Sequence, residues 1–461
     1  MTRAVAILPL RRPADPAAKL KSNNNRETAK GELEMQKTHM IGRRFTALAS
    51  GAAMLALAAG GPAHATDISF WCLTIPGIDD VVAAFTKANP DIQVKFTQFQ
   101  SEDFKTQLRV TVASGEIPDV YCSNEGFTFF EYVNRGAALD ITDVIDKEGW
   151  RKEIFPDFLK ADTDKNGHIW GVPWSTIHYW QAIFYDKAFF AKNNIPIPKS
   201  ISDLVDTSAK VQAAGRYPVS FGDRDGWPGL LLLGDLFLQQ APPSYVDDLN
   251  SGKVKWTDSD VARNALQAIG TMGTKGVFAP GFLTSDHQAA IMAWAGGKAA
   301  MLYNGTWWPG VTGSSDVGFD IGVMPLPRIA PDQPLKGTQF WASNHVLISS
   351  KVTGAEKDAS IKFVGFLLSN EGQQIMGSAA GAVTSNPDAN KSLKVAPYFA
   401  EAPFTDQANL PKMGYFDHAF PIPVIEELKV DIQKLMQGSE SVDDALAAVE
   451  KVHAGERSKA Q

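Results

Sequence analysis

Apolar residues recur with two different periods along this chain, and the switches between them mark its elements. Residues 68–75 make one apolar run of strand length, after which Ile78, Val81, Val82 and Phe85 fall on a single helical face. Ile92, Val94 and Phe96 then alternate with polar residues, as in a half-buried strand. Phe104, Leu108 and Val112 form the next helical stripe, stopped by Gly115, and Pro118-Asp119-Val120-Tyr121 opens a third strand. Helical patterns return over residues 202–214, 230–239 and 356–368. Strands alternating with helices predict an α/β fold with parallel sheet and right-handed crossovers.

Residues 297–310, GKAAMLYNGTWWPG, carry the densest signal. An apolar run is stopped by Asn304-Gly305, which reads as a buried strand ending in a tight turn. Trp307 and Trp308 follow at once, at the rim of the sheet. In open α/β sheets small ligands sit outside the carboxyl ends of the strands. The competing reading is that the two indoles cap a core.

Residues 1–40 are polar and poor in core formers, and Gly42-Arg43-Arg44-Phe45, an apolar run over 46–60 and Ala63-His64-Ala65 follow. A basic region, a short apolar region and a small-residue site make a secretory signal. The run is shorter than the ~20 residues that span a bilayer, so the signal is expected to be removed, giving a mature chain from Thr66. Starts at Met35 or Met40 would place the signal at the beginning and leave residues 1–34 untranslated. Arg43-Arg44-Phe45 loosely resembles a twin-arginine signal, but its flanking residues are incomplete, which favours general secretory export. The first 65 residues hold ten of the 44 Lys/Arg and four of the 51 Asp/Glu, so the mature chain has a net charge of −13. Such a surface repels nucleic acid and anionic membranes. An exported, soluble protein with a small ligand is the class that remains.

The sequence contains no H-E-x-x-H, G-x-S-x-G or G-x-x-x-x-G-K-[ST] pattern, and its eight histidines lack ligand spacing. Asp162, Asp164, Asn166 and Gly167 match the first half of a calcium loop, but the twelfth position, where a bidentate Glu is required, is Pro173. No metal and no cofactor are expected. A pair of glycosidase carboxylates drawn from distant segments stays open as an enzymatic alternative.

Several phrases, in order, are similar to family 1 extracellular solute-binding proteins, the maltose-binding class of ABC importers. They are FTKANPDIQV at 85–94, ASGEIPDVY at 113–121, GAALDITD at 136–143, STIHYWQAIFY at 175–185, the G-K-A-A-M … G-x-W stretch at 297–307, FDIGVMPLP at 319–327, FWASNHVLI at 340–348 and SNEGQ at 369–373. The resemblance covers nearly all of residues 66–450. It implies a periplasmic-binding-protein fold, with two discontinuous α/β lobes joined by hinge crossings and a ligand cleft between them. Residues 66–175 and 321–380 would form the first lobe, and 176–320 and 381–461 the second. The crossings would fall near 175–178 and 318–323.

The resemblance implies a periplasmic binding component of an ABC importer, a monomer without enzymatic activity. It would capture a mono- or oligosaccharide and deliver it to inner-membrane permease subunits. A phosphorylated polyol or another small polar solute is the alternative ligand. Sugars pair polar edges with apolar C–H faces, so a site needs stacking aromatics beside hydrogen-bonding side chains. The aromatic candidates are Trp174, Trp227, Trp307 and Trp341. Thr74, Ser123 and Glu125 are polar candidates following the first and third strands, His178 lies in a crossing strand, and Asp223 sits in the Gly-rich loop 221–227. That loop reads alternatively as an Asp–Arg pair capping a helix. Within the G-x-W stretch, Trp307 should face the cleft and Trp308 the core if the chain stays extended. Cys72 and Cys122, the only cysteines, lie near the ends of strands that are neighbours in this fold. They are read as a disulfide, with two buried free thiols as the alternative.

Overall fold

The computed structural model describes residues 65–175, 177–179, 181–314, 316–342, 344–394 and 410–459; the side chains of residues 101, 157, 177–179 and 340–342 lie outside that description. The expected secretory signal falls on residues outside it, except for Ala65. In chain order the strands are β1 Thr66–Leu73, β2 Ile92–Phe99, β3 Val120–Ser123, β4 Val172–Pro173, β5 Ile177–Tyr179, β6 Ala182–Asp186, β7 Tyr217–Ser220, β8 Ala299–Asn304, β9 Ile321–Met324, β10 Thr338–Ala342, β11 His345–Ile348 and β12 Lys412–Met413.

The first lobe is built on β1, which pairs in parallel with β2 on one side and β3 on the other. Inward residues of β1 meet a core in which Phe70 stacks on Phe96 at 5.2 Å and stands edge-on to Phe363 at 5.0 Å. The helix Ile78–Ala88 covers the sheet with Ile78, Val81 and Phe85, the face its spacing predicted. Beyond β3 the sheet turns antiparallel, because β11 and β4 run to and from the other lobe; the order is β2-β1-β3-β11-β4. The sheet is thus mixed where alternation alone predicted a parallel one. Cys72 on β1 and Cys122 on β3 are both fully buried and joined as a disulfide, with Cα atoms 4.9 Å apart.

The second lobe carries a four-stranded sheet of order β7-β8-β6-β9. Every residue of β8 is buried, as a central strand covered on both faces requires. On one face the helix Trp227–Leu238 is enclosed over nearly its whole length, and on the other Phe184, Trp294 and Trp308 form a smaller core. The helices Ile422–Gln437 and Val442–Lys459 pack onto the core of this lobe.

Between the lobes β5, β10 and β12 form a small sheet, each lying in one of the chain's three passages from lobe to lobe. Residues 318–323 are therefore not the return crossing. Ile321–Met324 pairs with β6 inside the second sheet, and the chain returns through β10 some fifteen residues later. The first lobe also extends past residue 380: the Ser385 N–H donates to the Ser175 carbonyl (3.1 Å), and Asn386 Nδ2 donates to Glu153 Oε2 (2.7 Å). At the hinge the fully buried Gln339 ties three segments together. Its Nε2 donates to Leu231 O (2.8 Å) and to Asp235 Oδ1 (2.6 Å), and its Oε1 accepts from the Phe416 N–H (2.9 Å). Gly234 makes this knot possible, since a Cβ there would meet Phe416 Cβ at 2.5 Å and Gln339 Oε1 at 2.6 Å.

Candidate binding cleft

The carboxyl ends of β1, β2 and β3 and the amino ends of two second-lobe helices open onto one cavity of about 630 Å³. From the first lobe it is lined by Thr74, just past β1, by Gln98 and Gln100 at the end of β2, and by Asn124 past β3. The second lobe supplies Trp227, the first residue of its buried helix, His287, the first residue of His287–Ala295, and Trp307. Tyr415, Asp417 and His418 enter from the third passage.

The aromatic side is a connected cluster. Trp307 Nε1–H donates to His287 Nε2 at 2.9 Å, and the imidazole lies 4.5 Å from Trp227, centroid to centroid. Tyr415 stands edge-on to Trp307 at 6.1 Å. Burial pulls the His287 pKa down to about 4 against the pull of Asp286 and Asp225. The ring is therefore neutral at pH 7, and since Nε2 accepts, Nδ1 carries the proton.

The polar side is a charge cluster. His418 Nδ1 faces Glu125 Oε1 at 3.0 Å and its Nε2 faces Asp417 Oδ2 at 3.3 Å, with the Asn124 amide 2.7 Å from the same nitrogen. Burial opposes charging of this ring, but Asp417 and Glu125 outweigh it and push its pKa up to about 10. Burial likewise opposes ionisation of Asp417, yet His418, Lys105 and Lys429 hold its carboxyl below the usual range. Backbone closeness sustains the cluster: Gly126 has φ +70°, and a Cβ on it would meet the His418 carbonyl oxygen at 2.3 Å.

Three of the expected site residues, Thr74, Trp227 and Trp307, line this cavity. Trp308 faces away from it, packed against Trp294 at 5.0 Å with no exposure. The two indoles diverge because Trp307 has helical backbone and Trp308 starts the helix Trp308–Thr312, not because the chain is extended. Ser123 and Glu125 are displaced from the cavity by one residue: Asn124 between them reaches it. Ser123 is buried with its hydroxyl on the Asn124 carbonyl (2.8 Å), and Glu125 turns behind His418 to accept from the Tyr415 N–H (3.0 Å).

Two expectations are corrected. Trp174 has no exposure and stands edge-on to Phe70 at 6.1 Å, because the first-lobe sheet is covered on both faces where it ends. Asp223 is also wholly buried; its Oδ1 accepts from the Gly229 N–H (2.7 Å), so the Gly-rich loop turns inward to hold the first turn of the helix Trp227–Leu238. Burial raises its pKa to about 7. His178 and Trp341 are opposite one another in the β5–β10 register, but their side chains lie outside the described residues. Sequence reasoning missed His287, Tyr415, Asp417 and His418. The signal available for the last three is a polar and aromatic Tyr-Phe-Asp-His run between Gly414 and Pro421.

The model of the bacterial extracellular solute-binding protein family matches residues 74–374, about two thirds of the chain. The chain belongs to that family. Among its relatives is an uncharacterized ABC transporter extracellular-binding protein of Pyrococcus horikoshii, 27% identical over 66% of this chain and 68% of the relative. The multiple sugar-binding protein of Streptococcus mutans is 23% identical over 71% of this solute-binding protein and 76% of its own length. In fold it is similar to a chitin oligosaccharide binding protein, with TM-score 0.72 and 23% identity over 85% of this chain and 100% of that one. A sugar transporter protein of Bacillus licheniformis solved with stachyose gives TM-score 0.68 and 16% identity over 84% and 98% of the two chains. Among the described residues of this family member no helix is long and apolar enough to cross a membrane.

Proposed function

We propose that this solute-binding protein captures a carbohydrate in the cavity between its lobes and delivers it to the permease of an ABC importer, without chemical turnover. The observation that carries this reading is one cavity with indoles on one wall and hydrogen-bonding side chains on the other. Trp227 and Trp307 offer flat faces for the C–H side of a sugar ring, and Thr74, Gln98, Gln100, Asn124 and Asp417 surround it with polar groups. A volume of about 630 Å³ falls within the ~300–1,000 Å³ of small-molecule sites. Relatives and structural neighbours named for sugars support the ligand class. The chain acts as an exported monomer in the periplasm, its signal removed near Ala65.

Thermal-shift screening with maltose, raffinose, stachyose, galactose and chitin oligosaccharides tests the reading, because a ligand bound only by the folded state raises the melting temperature. At least one of these sugars should raise it by several degrees. Hydrolysis of a bound oligosaccharide, seen by chromatography, would favour an enzyme instead.

A further inference from the structure

We propose that Tyr415 and Asp417, on the third passage between the lobes, read the hydroxyls of the ligand and restrict it to neutral sugars. Asp417 Oδ1 would accept a ligand O–H, and the Tyr415 hydroxyl would bond a neighbouring oxygen. This inference rests on the carbohydrate reading above.

Both side chains line the cavity, and both hold a polar atom that is shielded from bulk water and lacks a hydrogen-bond partner in the protein. The Asp417 side chain is 7% exposed; its Oδ2 faces His418, and Oδ1 is left over. A buried ionised oxygen without a donor is costly, and so is a shielded phenol, so native structures seldom keep them without a reason. A ligand that fills the cavity supplies one. The Tyr415 ring stands edge-on to Trp307, so a sugar ring lying on that indole has Tyr415 and Asp417 at its polar edge.

The open valences also set the charge of the ligand. The cations lining the cavity already face carboxylates: Lys105 Nζ donates to Glu102 Oε1 at 3.0 Å, and His418 lies between Glu125 and Asp417. What remains is a carboxylate oxygen, which asks for a donor, and a phenol, which takes either role. A carboxylate or phosphate on the ligand would face Asp417 with no cation left to neutralise it. An ammonium at Asp417 would meet His418 and Lys105, two cations that line the same cavity. Gln181 Nε2 and Asn304 Oδ1 are also buried without a partner, but they line a space of about 10 Å³ beneath the tryptophans, enough for one water molecule and not for a sugar.

The test uses the full mature protein and the tightest neutral sugar of the panel above. Tyr415→Phe should weaken its binding roughly three- to tenfold, the loss of a neutral hydrogen bond, while the melting temperature without sugar holds or rises. A merely structural phenol predicts unchanged affinity, which would overturn the assignment. Asp417→Asn should cost roughly ten- to a hundredfold in affinity, measured by calorimetry on the folded protein. Galactose should shift the melting temperature more than galacturonate, and glucose more than glucose 6-phosphate or glucosamine. A larger shift from a charged sugar than from its neutral counterpart would overturn the neutral selection and leave the carbohydrate reading standing. No shift from any sugar would overturn both.

Discussion

The indole N–H of Trp307 ends on Nε2 of His287, 2.9 Å away, and this one bond fixes both side chains. It holds the indole in place and fixes the imidazole tautomer. Because the same imidazole packs at 4.5 Å on Trp227, His287 couples the two tryptophans of the cleft.

Replacing His287 by Ala should therefore loosen Trp307 and lower sugar affinity roughly threefold to tenfold, a share of the ~0.5–1.5 kcal/mol carried by one neutral hydrogen bond. Calorimetric titration measures this. The proton balance has a definite sign. The folded ring titrates near pH 4 and the unfolded one near 6.5, so between those values only the unfolded chain takes up the proton. His287 thus removes stability as pH falls from about 6.5 to about 4. His287→Gln should lose less stability over that interval than the parent protein, in denaturant titrations at several pH values. An imidazole NMR titration with a midpoint near 6.5 would contradict the assignment.

Trp307 and Trp308 should separate binding from folding. Trp307→Ala removes a cavity wall and should weaken sugar binding roughly tenfold to a hundredfold, for stacking and burial worth about 1–3 kcal/mol. The fold should survive, because the side chain borders open space. Trp308 fills the core beside Phe184 and Trp294 with no exposure. Trp308→Ala should cost about 3–5 kcal/mol of stability and leave affinity in the folded fraction nearly intact. The reverse pattern would assign the stacking role to the wrong indole.

The disulfide between β1 and β3 closes a loop across 50 positions of sequence, next to the cleft residues Thr74 and Asn124. Opening it by Cys72→Ala with Cys122→Ala should cost about 2–4 kcal/mol in guanidinium titrations. Alkylation of the native protein without reductant should modify neither thiol, and two freely reacting thiols would rule the bridge out.

Intact-mass measurement of protein recovered from the periplasm should give a chain that starts near Thr66. A species that keeps residues 1–65 would remove the export reading.

How far the cleft can be read from sequence depends on what sets each residue's position. Local periodicity marks β1, β2 and the helix Ile78–Ala88 because one buried face dictates both pattern and element. Trp227 and Trp307 are legible because each follows a turn at the end of an apolar strand. Trp174 also stands at a strand end, directly after β4, and is core, since only tertiary packing decides whether a strand end is covered. Asn124 was missed by one position, the smallest error that moves a side chain to another surface. Tyr415, Asp417 and His418 carry no local signal of this kind. They reach the cleft because β12 pairs with β10 from more than seventy residues away, a pairing that no short window contains.

The cleft mouth offers a test of lobe motion. Gln288 Nε2 of the second lobe donates to Gln100 Oε1 of the first at 3.3 Å, and Lys429 approaches Glu102 at 4.0 Å across the same gap. These are the contacts a hinge about β5, β10 and β12 would make and break, and hinge closure around a ligand is an established motion of periplasmic binding proteins. Addition of saturating sugar should reduce the radius of gyration in small-angle scattering, and an unchanged radius would count against a hinged receptor. A short bifunctional thiol reagent joining Gln100→Cys to Gln288→Cys should hold the mouth shut. The native disulfide is fully buried and should stay out of that reaction. Crosslinked before sugar is added, the protein should bind it at least tenfold more slowly than the same variant left uncrosslinked. Crosslinked with sugar inside, it should release the sugar slowly by a similar factor. Unhindered exchange in the crosslinked protein would mean that ligand enters by a route other than the mouth these two glutamines span.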